Sequence, residues 1–339
     1  MRKKFITILT SLCLFVGLLS GCVFPTSKNE VSNSGFYFNT IINITLYNTN
    51  NSKLIDDCFD IAHKYENMFS NTIPESDISK INDNAGIKSV KVNPETIELL
   101  NSAIKYCELS NGKFDITIGK LSELWNISKI SQSIKNDENI TDDSVIPKES
   151  DILALVNHIN FHNIIIDSNS VYLSDSDAKI DLGGIAKGFV ADKMKEYLLE
   201  NGINSAIINL GGNVLTIGSN SNGNSFNVGI QKPFNKSGEI ITKIPVISKS
   251  VVTSGIYERY YKVDDVIYHH LLDSKTGYPI NNNLLSVTII SDSSTEGDAL
   301  STICFSLGLD EGMNLINQTD NIEAIFITDD YELHYSDGL

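Results

Sequence analysis

The sequence has 339 residues and a mass of 37.4 kDa, with 41% hydrophobic and 20% charged residues. These values exclude collagen, coiled coil and wholesale disorder, and they leave room for one large domain or two lobes. The net charge of −16 argues against a general nucleic-acid binder, because phosphate binding needs dense lysine and arginine.

The N-terminus has the pattern of a bacterial export signal. Basic residues at 2–4 precede an apolar run over 5–19, which is shorter than the ~20 residues of a membrane-spanning helix. The run ends in Leu-Ser-Gly-Cys and resembles a lipobox, which predicts a signal peptide over 1–21 and a lipid on Cys22. A non-lipidated secretory leader is the alternative. Residues 22–34 are expected to be a flexible tether, and 35–339 a domain at the extracytoplasmic face of the bacterial cell membrane.

Three elements are predicted in the first third of this domain. Thr40–Tyr47 alternates apolar and polar residues, as a half-buried strand does. Apolar residues at three-and-four spacing over 54–69 predict an amphipathic helix. A second helix is expected to begin at Pro94 and to end at Asn111-Gly112.

The rest of the chain predicts a mixed architecture in which strands outnumber helices. The polar, acidic segment 128–150 is expected to be an exposed insertion. A hairpin is predicted over 163–173, and a helix from about Ile185 to Glu200. Further strands are predicted at 205–209, 213–217, 226–231, 243–247, 285–290 and 323–328, and further helices at 296–307 and 310–317.

Cysteine and histidine usage gives no sign of a disulfide framework or a structural zinc site. Cys58, Cys107 and Cys304 are dispersed, and no CxxC or HExxH motif occurs. The three cysteines are expected to be small buried residues.

The segment Asp181-Leu-Gly-Gly-Ile-Ala-Lys-Gly188 places two glycines where a strand ends and a helix begins. Free N–H groups and the helix dipole at such a position suit an anion. Phe189 and Val190 stand where a P-loop has lysine and serine or threonine, which disfavours a P-loop NTPase. Taken alone, the segment could equally be an ordinary turn.

Asp298 and Thr302 lie four residues apart on a predicted helix, so their oxygens share one face. A carboxylate and a hydroxyl are oxygen ligands suited to Mg²⁺, which needs few protein ligands. By spacing alone, a capping or helix-surface pair is the better explanation.

Two further residues could carry chemistry. Arg259, in the segment Thr253-Ser-Gly-Ile-Tyr-Glu-Arg259, is the only arginine after the leader, and it indicates either a bidentate contact or chance. His270 could act as a base because imidazole titrates near neutrality, although a lone histidine in a strand is more often structural.

Together these segments resemble the ApbE-type FAD:protein FMN transferase family of bacterial lipoproteins. The resemblance implies an α+β fold, with mixed, largely antiparallel sheets and flanking helices. Seven blocks keep the family's order from about residue 36 to the C-terminus, and they lie at 114–117, 181–188, 211–213, 228–233, 253–259, 270–277 and 298–302.

The resemblance also implies a set of site residues. Mg²⁺ would be held beside the pyrophosphate of FAD by Asp298, Thr302 and a main-chain oxygen of Gly184, and His270 and Asp298 would be catalytic. FAD is then a substrate as well as a ligand. The implied contacts to FAD come from Phe38, Ser70, Asp115, Ile116, Thr117, Asp181, Lys187, Ser254, Gly255 and Leu272.

Two positions depart from the family's pattern. Phe38 stands where the family often has a methionine that packs on flavin, so an aromatic ring replaces that contact. Ser274 follows Asp273 where proline is common, while Thr276 and Gly277 are kept. Activity is expected to survive both changes.

The implied reaction is the transfer of FMN from FAD to a Thr or Ser hydroxyl of an acceptor protein, through a phosphodiester, with release of AMP. The expected acceptors are extracytoplasmic electron-transfer proteins with a flavinylation motif. A Mg²⁺-dependent FAD pyrophosphatase and a non-catalytic FAD-binding lipoprotein remain as alternatives. The base remains open between His270 and Asp298 acting through solvent.

Overall fold

The structure is a computed structural model that describes residues 29–134, 139–140, 143–235 and 238–339. The predicted signal peptide, Cys22 and the first part of the tether lie outside these residues. Among the helices that are described, none is long and apolar enough to cross a membrane.

The elements of the described residues are numbered here in chain order. The α-helices are α1 (Lys53–Phe69), α2 (Asp77–Asp83), α3 (Pro94–Leu109), α4 (Gly119–Trp125), α5 (Ile127–Ser133), α6 (Glu149–Val156), α7 (Ala186–Glu200), α8 (Ser294–Leu307) and α9 (Leu309–Asn317). The strands are β1 (Glu30–Tyr37), β2 (Thr40–Tyr47), β3 (Val90–Lys91), β4 (Asn139–Ile140), β5 (Ile164–Asp167), β6 (Ser170–Leu173), β7 (Ala206–Leu210), β8 (Asn213–Ile217), β9 (Phe226–Gln231), β10 (Ile240–Val246), β11 (Ser250–Gly255), β12 (Tyr260–Val263), β13 (Val266–His269), β14 (Leu284–Ser291), β15 (Glu323–Thr328) and β16 (Leu333–Tyr335).

An antiparallel sheet of eight strands forms the centre of the molecule, in the order β1-β2-β7-β8-β11-β14-β15-β16. Both faces of this sheet are covered. Strand β15 illustrates this. Its residues Ala324 and Phe326 pack in the main core with α1, α7 and α8. Its residues Ile325 and Ile327 face the other way and pack against the ribbon β9-β10. Because side chains alternate along a strand, such doubly covered strands are apolar throughout. The predicted fold class is confirmed.

A third apolar cluster lies beside the sheet and corrects the expectation for 128–150. Trp125, Ile152 and Tyr261 are its buried centre, and Ile130 and Ile140 pack against it. Helix α5 begins at Ile127 and extends into the segment, and β4 within the segment pairs with β12. The described part of the segment is therefore a packed wall rather than a simple exposed insertion, and its polar composition hid the few apolar residues that dock.

The folded part begins earlier than predicted. Glu30–Tyr37 forms β1 and pairs with β2 along its whole length, so the domain starts at Glu30 and not at 35. Most side chains of this edge strand are exposed. Its polar sequence therefore lacks the alternation that a half-buried strand shows.

Candidate active site

A cavity of about 610 Å³ opens where the β1-β2 turn, the C-terminal end of α1, the N-terminal end of α7 and helix α8 meet. Nearly all of the residues predicted to contact ligand or metal line it. They are Phe38, Ser70, Asp115, Ile116, Asp181, Gly184, Lys187, Ser254, His270, Leu272, Asp298 and Thr302. Residues more than two hundred positions apart in the chain are thus brought together.

Two predicted contacts, Thr117 and Gly255, do not line the cavity. The Thr117 hydroxyl donates to Asp115 Oδ1 at 2.7 Å and accepts from the backbone N–H of Asn160 at 2.8 Å, so it braces a loop. Gly255 faces the ring of Tyr257, which an added Cβ would approach to 2.6 Å. Their contact with FAD stays a prediction, and in the structure both residues serve the packing of their motifs.

Asp115 and Ile116 line the cavity but are largely committed to the fold. Asp115 accepts hydrogen bonds from Thr117 on Oδ1 and from the backbone N–H of Phe161 on Oδ2. Burial raises the pKa of the Asp115 carboxyl, and these hydrogen bonds oppose that rise. The Ile116 side chain is 1% exposed and belongs to the main core. Leu272, 8% exposed, packs in the third cluster.

Asp298, a residue of α8, has a buried carboxylate that contacts the N-terminal end of α7. Its side chain is 6% exposed, and Oδ2 accepts from the backbone N–H of Gly188 at 2.9 Å. Lys187 Nζ lies 3.4 Å from Oδ1 and donates to the carbonyl of Gly183 at 3.1 Å. The ammonium group of Lys187 therefore already contacts two oxygen atoms here, the Asp298 carboxylate and the Gly183 carbonyl.

The other predicted metal ligands stand next to this carboxylate. Thr302 Oγ1 lies 3.2 Å from Ser254 Oγ, which in turn lies 2.8 Å from Ser301 Oγ. A Cβ added to Gly184 would lie 3.8 Å from Thr302 Oγ1, so the backbone of Gly184 approaches that hydroxyl closely. The donors are a carboxylate, hydroxyls and carbonyls, the oxygen ligands that Mg²⁺ takes. The residues present fit the ion that the sequence predicts.

Hydrogen bonds and close backbone packing join α7 to the first turn of α8, and this contact positions Asp298. Asp192 of α7 accepts from the backbone N–H groups of Ser294 and Thr295 at 2.8 and 2.9 Å, and from the Ser293 hydroxyl at 2.8 Å. It thus caps the first turn of α8 from another helix. At Gly188, an added Cβ would come within 2.2 Å of the Ser294 carbonyl, so the two backbones touch.

We expect Asp192→Ala to lower the free energy of unfolding by about 2 kcal/mol, because it removes the acceptor of several partly buried N–H and O–H groups. Asp292→Ala is the control, since the Asp292 side chain is 68% exposed and forms an ion pair with Lys249, a surface contact of about 0–1 kcal/mol. Urea unfolding of both variants measures the difference. Equal stability of the two would contradict the capping role.

His270 stands at the cavity wall with a defined tautomer. Its Nδ1 lies 3.3 Å from the carbonyl of Arg259, and since a carbonyl only accepts, Nδ1 carries the proton. Burial and the positive charge of Arg259 hold the pKa of His270 well below its ordinary 6.5. The imidazole is therefore neutral at physiological pH, with the lone pair of Nε2 available to accept a proton.

Glu258 is a further titratable group at the cavity wall, and the sequence did not single it out. It keeps contact with solvent, yet crowding by the surrounding protein raises the pKa of its carboxyl to about 7, against the opposing charges of Arg259 and Lys187. Arg259, which the sequence did single out, lines the cavity beside it. Glu258 lies inside a recognised block, and only its raised pKa in the folded structure distinguishes it.

Asn213 was also missed as an individual residue. Its side chain is 2% exposed, and Oδ1 accepts from the Ser294 hydroxyl at 2.6 Å. Its Nδ2 is buried and has no partner among the described residues, although the residue lines the cavity. A buried donor of this kind costs stability unless a ligand accepts from it.

Phe38, where the sequence departs from the family pattern, forms the turn of the β1-β2 hairpin. Phe38 and Asn39 have φ angles of 53° and 55°, as a two-residue hairpin turn requires. The backbone N–H of Phe38 donates to Glu66 Oε1 at 2.6 Å. This bond fixes an aromatic residue at the cavity rim, a strained position for a bulky side chain.

A second group of potential metal ligands, His158, Asp175 and Asp177, lies outside this cavity. His158 Nδ1 is 2.9 Å from Asp175, and Lys120 Nζ is 2.8 Å from Asp177. Both carboxylates are therefore already paired with basic side chains.

Elsewhere in the described residues, Cys58, Cys107 and Cys304 are free and buried, as predicted.

The sequence model of the ApbE family matches residues 38–326 of the chain. The chain belongs to the ApbE family. A relative from Klebsiella pneumoniae (strain 342), named FAD:protein FMN transferase, is 34% identical over 305 residues, which cover 89% of this chain and 90% of the relative. A relative of the same name from Treponema pallidum (strain Nichols) is 28% identical over 346 residues, which cover 96% and 92%.

Solved structures of ApbE proteins have the same fold. The crystal structure of the ApbE protein from Thermotoga maritima superposes with a TM-score of 0.79 at 29% identity, covering 91% of this chain and 98% of that one. The flavin transferase ApbE from Vibrio cholerae superposes with a TM-score of 0.76 at 24% identity, covering 91% and 98%. The resemblance inferred from seven sequence blocks is confirmed.

Proposed function

We propose that this chain is a Mg²⁺-dependent FAD:protein FMN transferase that joins FMN to a Thr or Ser hydroxyl of an acceptor protein. One observation carries the proposal. Asp298, Thr302 and Gly184 converge in the cavity that also contains Lys187, His270 and Asn213, whose Nδ2 has no hydrogen-bond partner in the described part of the chain. Oxygen ligands, positive charge, a neutral base and a buried donor are what attack on a pyrophosphate requires.

The proposed reaction exchanges one bond to phosphorus for another and transfers one proton to the enzyme. The acceptor oxygen forms a bond to the FMN-side phosphorus of FAD, and the bond from that phosphorus to the bridging oxygen breaks. AMP leaves with the bridging oxygen and its electron pair. The acceptor's proton passes to Nε2 of His270, whose Nδ1–H is held by the Arg259 carbonyl. Phosphoryl transfer of this kind depends on positioning and charge stabilisation.

The metal site and the lysine neutralise a substrate that an acidic protein would otherwise repel. Asp298, Thr302 and the Gly184 carbonyl would hold Mg²⁺, which supplies charge stabilisation for the pyrophosphate and for leaving AMP. Lys187, paired with Asp298 across 3.4 Å, adds a second positive charge. The close contact between α7 and α8 at Gly188 holds Lys187 and Asp298 in position.

We expect Asn213→Asp to raise the Kd for FAD about tenfold, because the variant keeps an acceptor for Ser294 but loses the donor that faces the ligand. Asn314→Asp, at an exposed position on α9, makes the same chemical change away from the cavity and should leave the Kd unchanged. Flavin fluorescence titration measures both. If both variants bind FAD as the wild type does, Asn213 does not contact FAD.

The functional test is to incubate the protein with FAD and Mg²⁺, with and without an extracytoplasmic electron-transfer protein that carries a flavinylation motif. Intact mass of the acceptor and released AMP are recorded together. We expect a mass gain of one FMN residue per AMP, and loss of both in EDTA. FMN and AMP without acceptor modification would favour the pyrophosphatase, and FAD binding without AMP would favour a carrier.

We further propose that the chain is a lipoprotein at the extracytoplasmic face of the bacterial cell membrane. The support is the sequence pattern over 1–22, with its basic start, short apolar run and terminal Cys22. Anchored there, the enzyme would meet membrane-attached acceptors.

Cys22→Ser is expected to release the protein from membranes and to abolish labelling by a lipid precursor, since the serine cannot form the thioether. Cell fractionation and metabolic labelling measure this, with Cys58→Ser as the control because Cys58 is buried in the fold. Persistent labelling of the Cys22 variant would refute the anchor.

A further inference from the structure

A second cavity, of about 830 Å³, lies next to the nucleotide cavity and is not used by the reaction scheme above. The two cavities share part of their lining, namely Asn39, Gly211, Thr253, Glu258 and Arg259. They therefore meet at the wall that carries His270's hydrogen-bond partner, Arg259. We refer to the second cavity as the side cleft.

One wall of the side cleft is the free edge of a strand. Val228, Gly229, Ile230 and Gln231 of β9 all line it. Because side chains alternate between faces, four consecutive residues can line one cavity only along the strand's edge. Strand β10 pairs with β9 but lines no part of the cleft, and β9 has no other partner strand among the described residues.

The edge cannot turn away from the cleft, because the apolar side chains of β9 are anchored. Phe226, Val228 and Ile230 are at most 8% exposed and pack on the outer face of the central sheet. The backbone N–H and C=O groups of the edge therefore face a space that holds several residues of extended chain. An exposed edge with unpaired groups is a template for an added strand.

Resting on the proposed function, we infer that the side cleft binds the acceptor protein's modified segment as an extended strand added to the free edge of β9. The shared wall then leads the acceptor's hydroxyl into the nucleotide cavity beside Glu258 and His270. Main-chain pairing gives affinity with little dependence on side chains, so one enzyme can modify several acceptors. The charged side chains that line the cleft are Arg259, Lys262 and Glu258, and this excess of positive charge favours an acidic or neutral segment over a basic one.

The first test uses the intact protein and a synthetic peptide of about ten residues, enough to cover β9, from an acceptor that the protein modifies. Each peptide nitrogen is methylated in turn, which removes one N–H. We expect kcat/KM for peptide modification to fall about tenfold or more at alternate positions and little at those between, because a strand pairs through every second residue on one edge. A loss without this period of two would overturn the strand model.

The second test narrows the cleft. Ser131, on α5, lines the side cleft but not the nucleotide cavity, whereas Ser133 on the same helix is exposed and lines neither. We expect Ser131→Trp to raise KM for the acceptor at least about tenfold with the Kd for FAD unchanged, and Ser133→Trp to change neither. A parallel loss of FAD affinity in Ser131→Trp would mean that the cleft holds part of FAD instead. Unchanged acceptor kinetics in Ser131→Trp would also overturn the inference.

These outcomes distinguish a failure of the docking inference from a failure of the proposed function. If the wild-type protein modifies acceptors but neither test behaves as expected, the docking inference is wrong while the transferase stands. If the wild-type protein modifies no acceptor, the proposed function is wrong and the inference with it.

Discussion

Asp298→Asn should reduce FAD-dependent release of AMP by about 10²–10³-fold while leaving the fold intact. The amide still offers an oxygen to the Gly188 N–H, which Asp298 Oδ2 accepts at 2.9 Å, so α7 and α8 stay joined. What disappears is the negative charge that faces Lys187 and the predicted metal ligands. The measurement is AMP release by the two proteins across a Mg²⁺ titration.

The control is Asp310→Asn, which removes a carboxylate from an exposed position at the start of α9. It should release AMP at the wild-type rate. Unchanged turnover of Asp298→Asn at saturating Mg²⁺ would remove the metal assignment, since a hydroxyl and a carbonyl alone bind Mg²⁺ poorly.

His270→Gln should lower the rate of acceptor modification by about 10²–10⁴-fold with little change in FAD binding, because the variant lacks a base but keeps polar contacts. The pH profile separates His270 from Glu258. With its pKa held well below 6.5, His270 loses its base form only at acid pH, so the wild-type rate should stay level as pH falls to about 6.5. Glu258, with a pKa of about 7, would impose a decline through neutrality.

Glu258→Gln is the matched variant for this comparison. If His270 is the base, the glutamine variant should keep most of the wild-type rate and the same level profile. A near-dead Glu258→Gln enzyme beside an active His270→Gln enzyme would assign the base to Glu258. Asp298, the other base considered from sequence, already accepts from Gly188 and contacts Lys187, which leaves it poorly placed for proton transfer.

Much of the fold could be predicted from the sequence because its strongest elements carry clear periodicity. The helix over 54–69 and the strands near 213–217 and 323–328 lie where the pattern placed them. Strand β11, Ser250–Gly255, was missed: it is covered on both faces and shows no alternation, and its C-terminal half was interpreted only as a chemical motif. Polar β1 and the docked segment after Ile127 were misjudged because few of their residues are apolar.

The site was predictable as a set of blocks but not as a set of contacts. The family resemblance implied that the blocks at 181–188 and 298–302 belong together, and the structure joins them through Gly188 and Asp298. Which member of a block faces the cavity depends on tertiary packing. Thr117 hydrogen-bonds to Asp115, whereas the buried Asn213 Nδ2 has no hydrogen-bond partner among the described residues.

The proposed function requires a divalent ion between Asp298 and the pyrophosphate of FAD. Crystals grown with FAD and Mn²⁺, and measured at the manganese edge, test for this ion most directly. We predict an anomalous peak about 2.1 Å from Asp298 Oδ1, Thr302 Oγ1 and the Gly184 carbonyl, in contact with the pyrophosphate. A peak at His158, Asp175 and Asp177, with none beside Asp298, would contradict the account.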